Sequence, residues 1–323
     1  IGRAGGQLEA FSGNGPIQAL VASAPDVYDN AEIYRRNLIF VNHGRDGRYV
    51  VDLFHVRGGS DHQYAFHGNS ETFNPPSLDY ESIDPTTLGD GATGYGWLQE
   101  AKRAETADDF TCKWSTDQHP DLQTRLHMLA ASDTELVHAK APGLRDRGNP
   151  FGSRDLYVSI TRRPGPENHF LSLFEVARDG VGVQSVRELQ TDNEGVRALE
   201  ITVDNFTDIA IVADEDAADE TITVAEYPDL RFTGRLGLVS LRDGKPVKLW
   251  MLGATRLSYG NISINGTAEY AGQITGINQE DYTLTVDADL PAGQSWKGQQ
   301  LIVEDRTNGA YEMEEILYQD GDC

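Results

Sequence analysis

Sulfur is scarce in this sequence, and positive charge is heavily outnumbered by negative. Two cysteines, Cys112 and Cys323, stand among 323 residues, and neither sits in a CxxC or mixed Cys/His spacing. That argues against a disulfide-stapled scaffold and a cysteine-built zinc module. The two could pair only if the terminus folded back, since Cys323 is the last residue, so both are expected as free thiols. Lys and Arg number 27 against 51 Asp and Glu, a formal charge of −24. Nucleic acid demands a basic footprint, so it is not an expected partner. An acidic surface favours solubility, and an anionic ligand would need a local basic cleft. No run approaches 18 consecutive apolar residues, so no membrane helix is expected. A GxSxG elbow, a P-loop, HExxH and a Rossmann fingerprint are all absent. The chain opens on Ile1, with neither Met nor a signal-peptide pattern. We therefore expect a processed or truncated product, or residues lying upstream of this sequence.

What is present is strand signal. Hydrophobic residues make up 39% and charged residues 24%, an ordinary globular profile with room for two domains. Leu38-Ile39-Phe40-Val41 and Tyr49 to Val56 are β-branched and aromatic runs separated by the turn at Asp46-Gly47. Gly58-Gly59-Ser60-Asp61 is a turn, followed by Gln63 to Gly68, which reads as the next strand of an antiparallel meander. Similar runs recur at Leu156–Ile160, Phe170–Val176, Ala198–Val203 and Ile209–Val212. Their two-residue alternation predicts sheets with one buried face. The expected fold is all-β: a large antiparallel two-layer β-sandwich over 1–250, then a small β-sandwich or barrel over 251–323, with the boundary near 245–260. Helical signal is confined to Tyr95–Lys102, a short helix or an aromatic-anchored loop. Residues 71–93 and 145–153 read as surface loops.

Chemistry-bearing residues are sparse. His43, His55, His62 and His67 fall within 25 residues of one another. On an unbroken strand His62 and His67 face opposite sides, whereas His55 and His62 flank the glycine turn and could meet across a hairpin. No metal-ligand set is assigned to this chain. Arginine can neutralise an acidic ligand, and histidine and tyrosine can serve as base and acid in proton transfer. Those residue types concentrate between Arg57 and His67: His62, Tyr64 and His67 are the candidates for chemistry, and Arg57, His62 and His67 for substrate contact. The alternative is that the glycines only turn the chain and the histidines only satisfy the core. Arg162-Arg163 would hold a carboxylate or sulfate, or pair with acids such as Glu175. Trp97 and Trp114 are sugar-stacking platforms or core anchors. The acidic run Asp214–Glu220 contains no glycine and reads as a solvated turn rather than a calcium loop. Three Asn-x-Ser/Thr matches, at Asn205, Asn261 and Asn265, are close to chance.

The run from Arg48 to Gly68, RYVVDLFHVRGGSDHQYAFHG, resembles the heparinase II/III-like polysaccharide lyases, in which a strand ending in a double glycine is followed by a histidine-bearing strand. Tyr34-Arg35-Arg36-Asn37-Leu38, Val137–Gly143, Ile160–Arg163 and Phe170–Val176 fall in that family's order. The resemblance covers most of 10–250 and implies the β-rich portion of an enzyme that cleaves uronic-acid polysaccharide by β-elimination. It implies an N-terminal α/α toroid as partner, an acidic polysaccharide as substrate and a secreted or periplasmic location. The family's catalytic Tyr, His and Asn or Arg, and its zinc or calcium ligands where a metal is present, align upstream of Ile1. None is carried onto this chain, no cofactor is expected within it, and on its own it is expected to be inactive. A non-catalytic glycan-binding or spacer module is the alternative.

Overall fold

The computed structural model describes residues 5–68, 70, 72–89, 94–116, 118–142, 155–178, 180–266, 270–290, 300–305 and 310–315. Cys323 and the loop expected at 145–153 lie outside them. Among the described residues helix is limited to 3-10 turns of three or four residues. The fold is all-β and antiparallel, as the two-residue alternation predicts.

The first strands are β1 (Gln7–Ser12), β2 (Ile17–Ser23), β3 (Ile33–Asn42), β4 (Arg48–Arg57), β5 (Asp61–His67), β6 (Thr72–Asn74) and β7 (Glu81–Ser82). The middle of the chain forms β8 (Gln99–Thr106), β9 (Phe110–Thr116), β10 (His119–Met128), β11 (Thr134–Pro142), β12 (Asp155–Pro164) and β13 (Glu167–Arg178). Then come β14 (Val183–Leu189), β15 (Val196–Val203), β16 (Phe206–Ala213), β17 (Ile222–Val224), β18 (Tyr227–Arg242), β19 (Lys245–Tyr259) and β20 (Ile262–Asn265). Two hairpins follow, β21 (Ile274–Asn278) with β22 (Thr283–Val286) and β23 (Gln300–Asp305) with β24 (Ala310–Glu315).

Three sheets make the body: an eight-stranded sheet ordered β1-β2-β3-β4-β13-β10-β9-β6, a five-stranded sheet ordered β5-β12-β11-β8-β7, and a seven-stranded sheet ordered β14-β15-β16-β18-β19-β20, with β17 also on β18. The eight-stranded sheet is the middle layer. Odd positions of β4 and β13 (Val51, Leu53, Leu171, Leu173) pack on Leu199, Ile201 and Leu238 of the seven-stranded sheet. Even positions of the same strands (Phe54, Val56, Phe170) pack with Tyr64 and Leu136 of the five-stranded sheet. The sandwich therefore carries a third sheet, because β4 and β13 are apolar on both faces instead of one.

The expected meander stops at β4. Strand β5 does not pair with it; β5 crosses to the five-stranded sheet and pairs with β12. The cause is the double glycine: Gly58 and Gly59 sit at φ +103° and +90°, and a Cβ on Gly58 would lie 2.0 Å from the Asn30 carbonyl. The chain crosses back from β12 to β13 beside it. Gly58 N donates to Pro166 O at 2.8 Å and Gly165 N to Ser60 O at 2.9 Å, so the two crossovers brace one another.

Arg163 anchors the second crossover. It is buried, donates to the carbonyls of His169 and Leu129 and to Thr134 Oγ1, and its burial pushes the guanidinium down to about 10. Arg162 pairs with Glu135 at 2.6 Å and Asp61 at 2.5 Å, while Glu175 pairs instead with Arg125 at 3.4 Å. Trp114 is fully buried and Trp97 is 57% exposed. Cys112 is a free, buried thiol that burial pushes up to about 12. Strand β19 runs unbroken through 245–259, and pairing in its sheet continues to Asn265.

Candidate functional site

Polar side chains gather where the end of β4 meets the start of β13. His55 of β4 and His169 of β13 are direct partners across the strand pair, and Arg35 of β3 is the partner of His55 on its other side. All three have the parity of Leu53 and Leu171, so they project from the middle sheet toward the seven-stranded sheet. The His55 and His169 rings stack with centroids 3.9 Å apart and planes 22° apart. From the facing sheet Asp214, the residue after β16, brings its carboxylate between them. Its Oδ1 lies 3.2 Å from His55 Nδ1 and its Oδ2 3.9 Å from His169 Nε2. On the opposite edge of the His55 ring, Nε2 is 2.6 Å from Glu167 Oε1.

The cluster is shielded but not sealed. The His55 side chain is 4% exposed, His169 20% and Asp214 30%. Burial would raise the Asp214 carboxyl, but contacts with His169 and His55 outweigh it and hold the group well below the usual carboxylate range. Glu167 follows the same pattern: burial raises it, and the His55 hydrogen bond with nearby Arg57 brings it net below its ordinary value. His169 is lowered by burial, and neighbouring His55 and Arg197 add to that, against Asp214. Arg197 of β15 points Nη2 at His169 Nδ1 from 3.5 Å. Arg35 extends the polar seam, bonding Glu9 at 3.2 Å and Glu215 at 3.1 Å.

Two chemistries suit this arrangement. With both nitrogens protonated, His55 is an imidazolium held between two carboxylates. With lone pairs available, His55, His169 and Asp214 each offer one donor atom, all within 4.8 Å of one another.

The residues singled out from the sequence fall around the adjoining crossover. Arg57 ends β4, is exposed, lies 3.4 Å from Glu32 and is the cross-strand partner of Glu167. His62 is 6% exposed, with Nε2 2.7 Å from Gly58 O and Nδ1 receiving Asn168 Nδ2 at 2.9 Å, so both ring nitrogens are engaged. Tyr64 is 3% exposed, and its hydroxyl donates to Asp52 Oδ2 at 2.7 Å. Burial beside that carboxylate pushes the phenol well above its ordinary value. His67 is exposed at the far end of β5, five residues on from His62, about 16 Å along an extended strand. The structure thus joins Arg57 and His62 at one turn and leaves His67 apart. His55 and His62 do not meet: His62 shares the parity of Tyr64 and faces the opposite inter-sheet space from His55.

Sequence reasoning passed over Glu167, His169 and Asp214. His169 shares its parity with Leu171 and Leu173, a histidine on an apolar face, and that was the available signal. Asp214 was read as the start of a solvated run because only the opposing sheet brings histidines to it.

No protein-family profile matches the sequence, and no curated protein matches it. Solved structures similar to the chain include the heparan sulfate lyase HepC from Pedobacter heparinus, at 13% identity and a TM-score of 0.41, covering 64% of this chain and 28% of that one. A structure described as heparinase III matches at 10% identity and a TM-score of 0.41, over 65% of this chain and 27% of that one. The likeness lies in the β-rich body, and the chain spans little more than a quarter of those proteins.

Proposed function

We propose that this chain is the β-sheet portion of a polysaccharide lyase that cleaves uronic-acid-containing chains, of the alginate, heparan or ulvan type, by β-elimination. The carrying observation is the run Arg48–Gly68, whose strand, double glycine and histidine-bearing strand resemble the heparinase II/III-like lyases in order and kind. In this reading the base and acid of the elimination, and any zinc or calcium, belong to an upstream α/α toroid. The crossover at Arg57–His62 faces the substrate from the β side. Two features support placing the chemistry outside this chain: the Tyr64 hydroxyl is buried against Asp52, and both nitrogens of His62 are taken. Both groups are engaged in contacts of their own, whereas a base for the C5 proton must be free to reach it. Arg57 is exposed and suited to a carboxylate. A secreted or periplasmic location follows from such a substrate.

The test is an absorbance assay for the unsaturated uronate product on alginate, heparan sulfate and ulvan. We expect the isolated chain to be inactive and a longer protein carrying the toroid to turn over at least one of them. Product from the isolated chain would overturn the assignment of the chemistry to the toroid. Inactivity of the longer protein on all three would favour a glycan-binding or spacer module.

A further inference from the structure

We propose that His55, His169 and Asp214 form a binding site for a divalent transition-metal ion of the zinc class, lodged between the middle and the seven-stranded sheets. The inference does not depend on the lyase reading: His55 lies within the run Arg48–Gly68, but the site is argued from geometry alone.

The first argument is convergence. Three donors arrive from β4, β13 and the end of β16, far apart in sequence, and each offers an atom within 4.8 Å of the others. The pairing of β4 with β13 fixes two of them as direct cross-strand neighbours, and the packing of two sheets brings the third. The second argument is the tautomer. Glu167 Oε1 lies 2.6 Å from His55 Nε2 and accepts its proton, so in the neutral ring Nδ1 carries the lone pair. That lone pair faces Asp214 Oδ1 across 3.2 Å, one acceptor against another. Such a contact is repulsive unless a proton or a cation lies on it. A carboxylate gripping the far nitrogen of a histidine is also how protein ligands to metals are oriented. The third argument is access: Asp214 and His169 are 30% and 20% exposed, so the site can fill from solvent and keep a position for water.

The donor set selects the ion. Two imidazoles and one carboxylate suit zinc, cobalt and their neighbours, whereas calcium requires a shell of oxygens. Binding has a stated structural requirement. With planes 22° apart the two rings cannot both aim a lone pair at one point, so one must tilt out of the stack. His169 is the ring that moves, being the more exposed. Its contact with Arg197 at 3.5 Å is long, and Arg197 keeps its own bonds to Glu194 O at 2.8 Å and Val196 O at 3.0 Å. A metal takes the place of whatever lies on the His55–Asp214 contact, since ligation needs a free imidazole lone pair and an ionised carboxylate.

The experiment is a titration of metal-stripped protein with cobalt(II), read by its visible absorption, and with zinc(II), read by competition and by melting temperature. We expect one ion per chain, the absorption of a four- or five-coordinate cobalt centre and a raised melting temperature. His169→Ala and Asp214→Asn should each weaken binding about 100-fold or more while the chain stays folded by circular dichroism. Glu167→Gln should weaken it about 10–100-fold. If cobalt leaves no such spectrum at stoichiometric metal, or if both ligand variants keep it, His55 is a proton-bridged clamp and the proposal falls. Where a variant fails to fold, the cobalt spectrum of the unaltered chain decides on its own.

Discussion

The hydroxyl of Tyr64 on β5 donates to the carboxylate of Asp52 on β4, at 2.7 Å, across the space between two sheets. Asp52 is fully buried and is also held by the guanidinium of Arg36, while Ser172 Oγ lies 3.3 Å from the same hydroxyl. This polar knot sits inside an otherwise aromatic interface of Phe54, Tyr64 and Phe170. Its function is structural: it fixes the register in which the five-stranded sheet lies on the middle one.

Tyr64→Phe keeps the ring and removes only the hydroxyl, leaving Asp52 with one partner fewer in a buried setting. We expect a loss of about 1–3 kcal/mol in a urea unfolding series, with the fold otherwise unchanged by circular dichroism. A variant as stable as the parent would show that Arg36 alone satisfies the carboxylate.

The glycine turn makes a separate prediction about the crossover. Gly58 has φ +103°, and a side chain there would run into the Asn30 backbone. Gly58→Ala should cost about 1–3 kcal/mol from backbone conformation alone. Gly44→Ala is the control: Gly44 has φ +71° but open space around its Cβ position, so only the conformational part of the penalty remains. Equal unfolding midpoints for the two variants would argue against the clash.

Stability should fall as the pH is lowered, and the sign follows from four groups. His169 is held below its ordinary 6.5 by burial, and His138, likewise buried, is pushed down to about 4. Asp214 and Glu167 are net below 3.8 and 4.5 because their imidazole contacts outweigh burial. In every case the unfolded chain binds protons more readily, so the stabilisation is complete above the unfolded values and is lost as pH falls through the folded ones. Loss begins below about 6.5 with the histidines and continues below about 4.5 with the carboxylates. Urea midpoints at pH 8, 6, 5 and 4 should decline in that order. The double variant His138→Phe, His169→Gln should flatten the interval from 7 to 5, and an unchanged slope would assign it to other groups.

Much of this fold was legible in the sequence, because the alternation in β2, β3 and β15 directly encodes one buried face. What alternation does not encode is which sheet a strand joins. The run Tyr49–Val56 is apolar on both faces, so it could belong to the centre of three layers, and that information was present but ambiguous. The switch of β5 to another sheet rests on Gly58 and Gly59, which a sequence shows only as a turn. The cluster at His55 was half visible. Its histidine was noted, but its partners lie at 167, 169 and 214, and their approach depends on the pairing of β4 with β13 and on packing between layers. Local spacing carries nothing about either.

His62 and His67 separate structure from function most cleanly. His62 is buried, and its ring bridges Gly58 O and Asn168, tying the two crossovers together. His67 is exposed on β5. In a longer protein that carries lyase activity, His62→Ala should lower the melting temperature by several degrees, since a bridging hydrogen-bond pair worth about 1–3 kcal/mol is lost. Its activity, measured well below that temperature, should follow the folded fraction. His67→Ala should leave the melting temperature within about a degree, as exposed substitutions do. Any loss of turnover it causes would then report contact with substrate, and would appear in KM more than in kcat if His67 only binds the chain. Arg57→Ala belongs in the same series, because Arg57 is exposed beside the turn and is the residue best placed to hold a carboxylate. If Arg57→Ala and His67→Ala both retain full kcat/KM, the crossover does not face the substrate, and the β portion serves the enzyme only as a support.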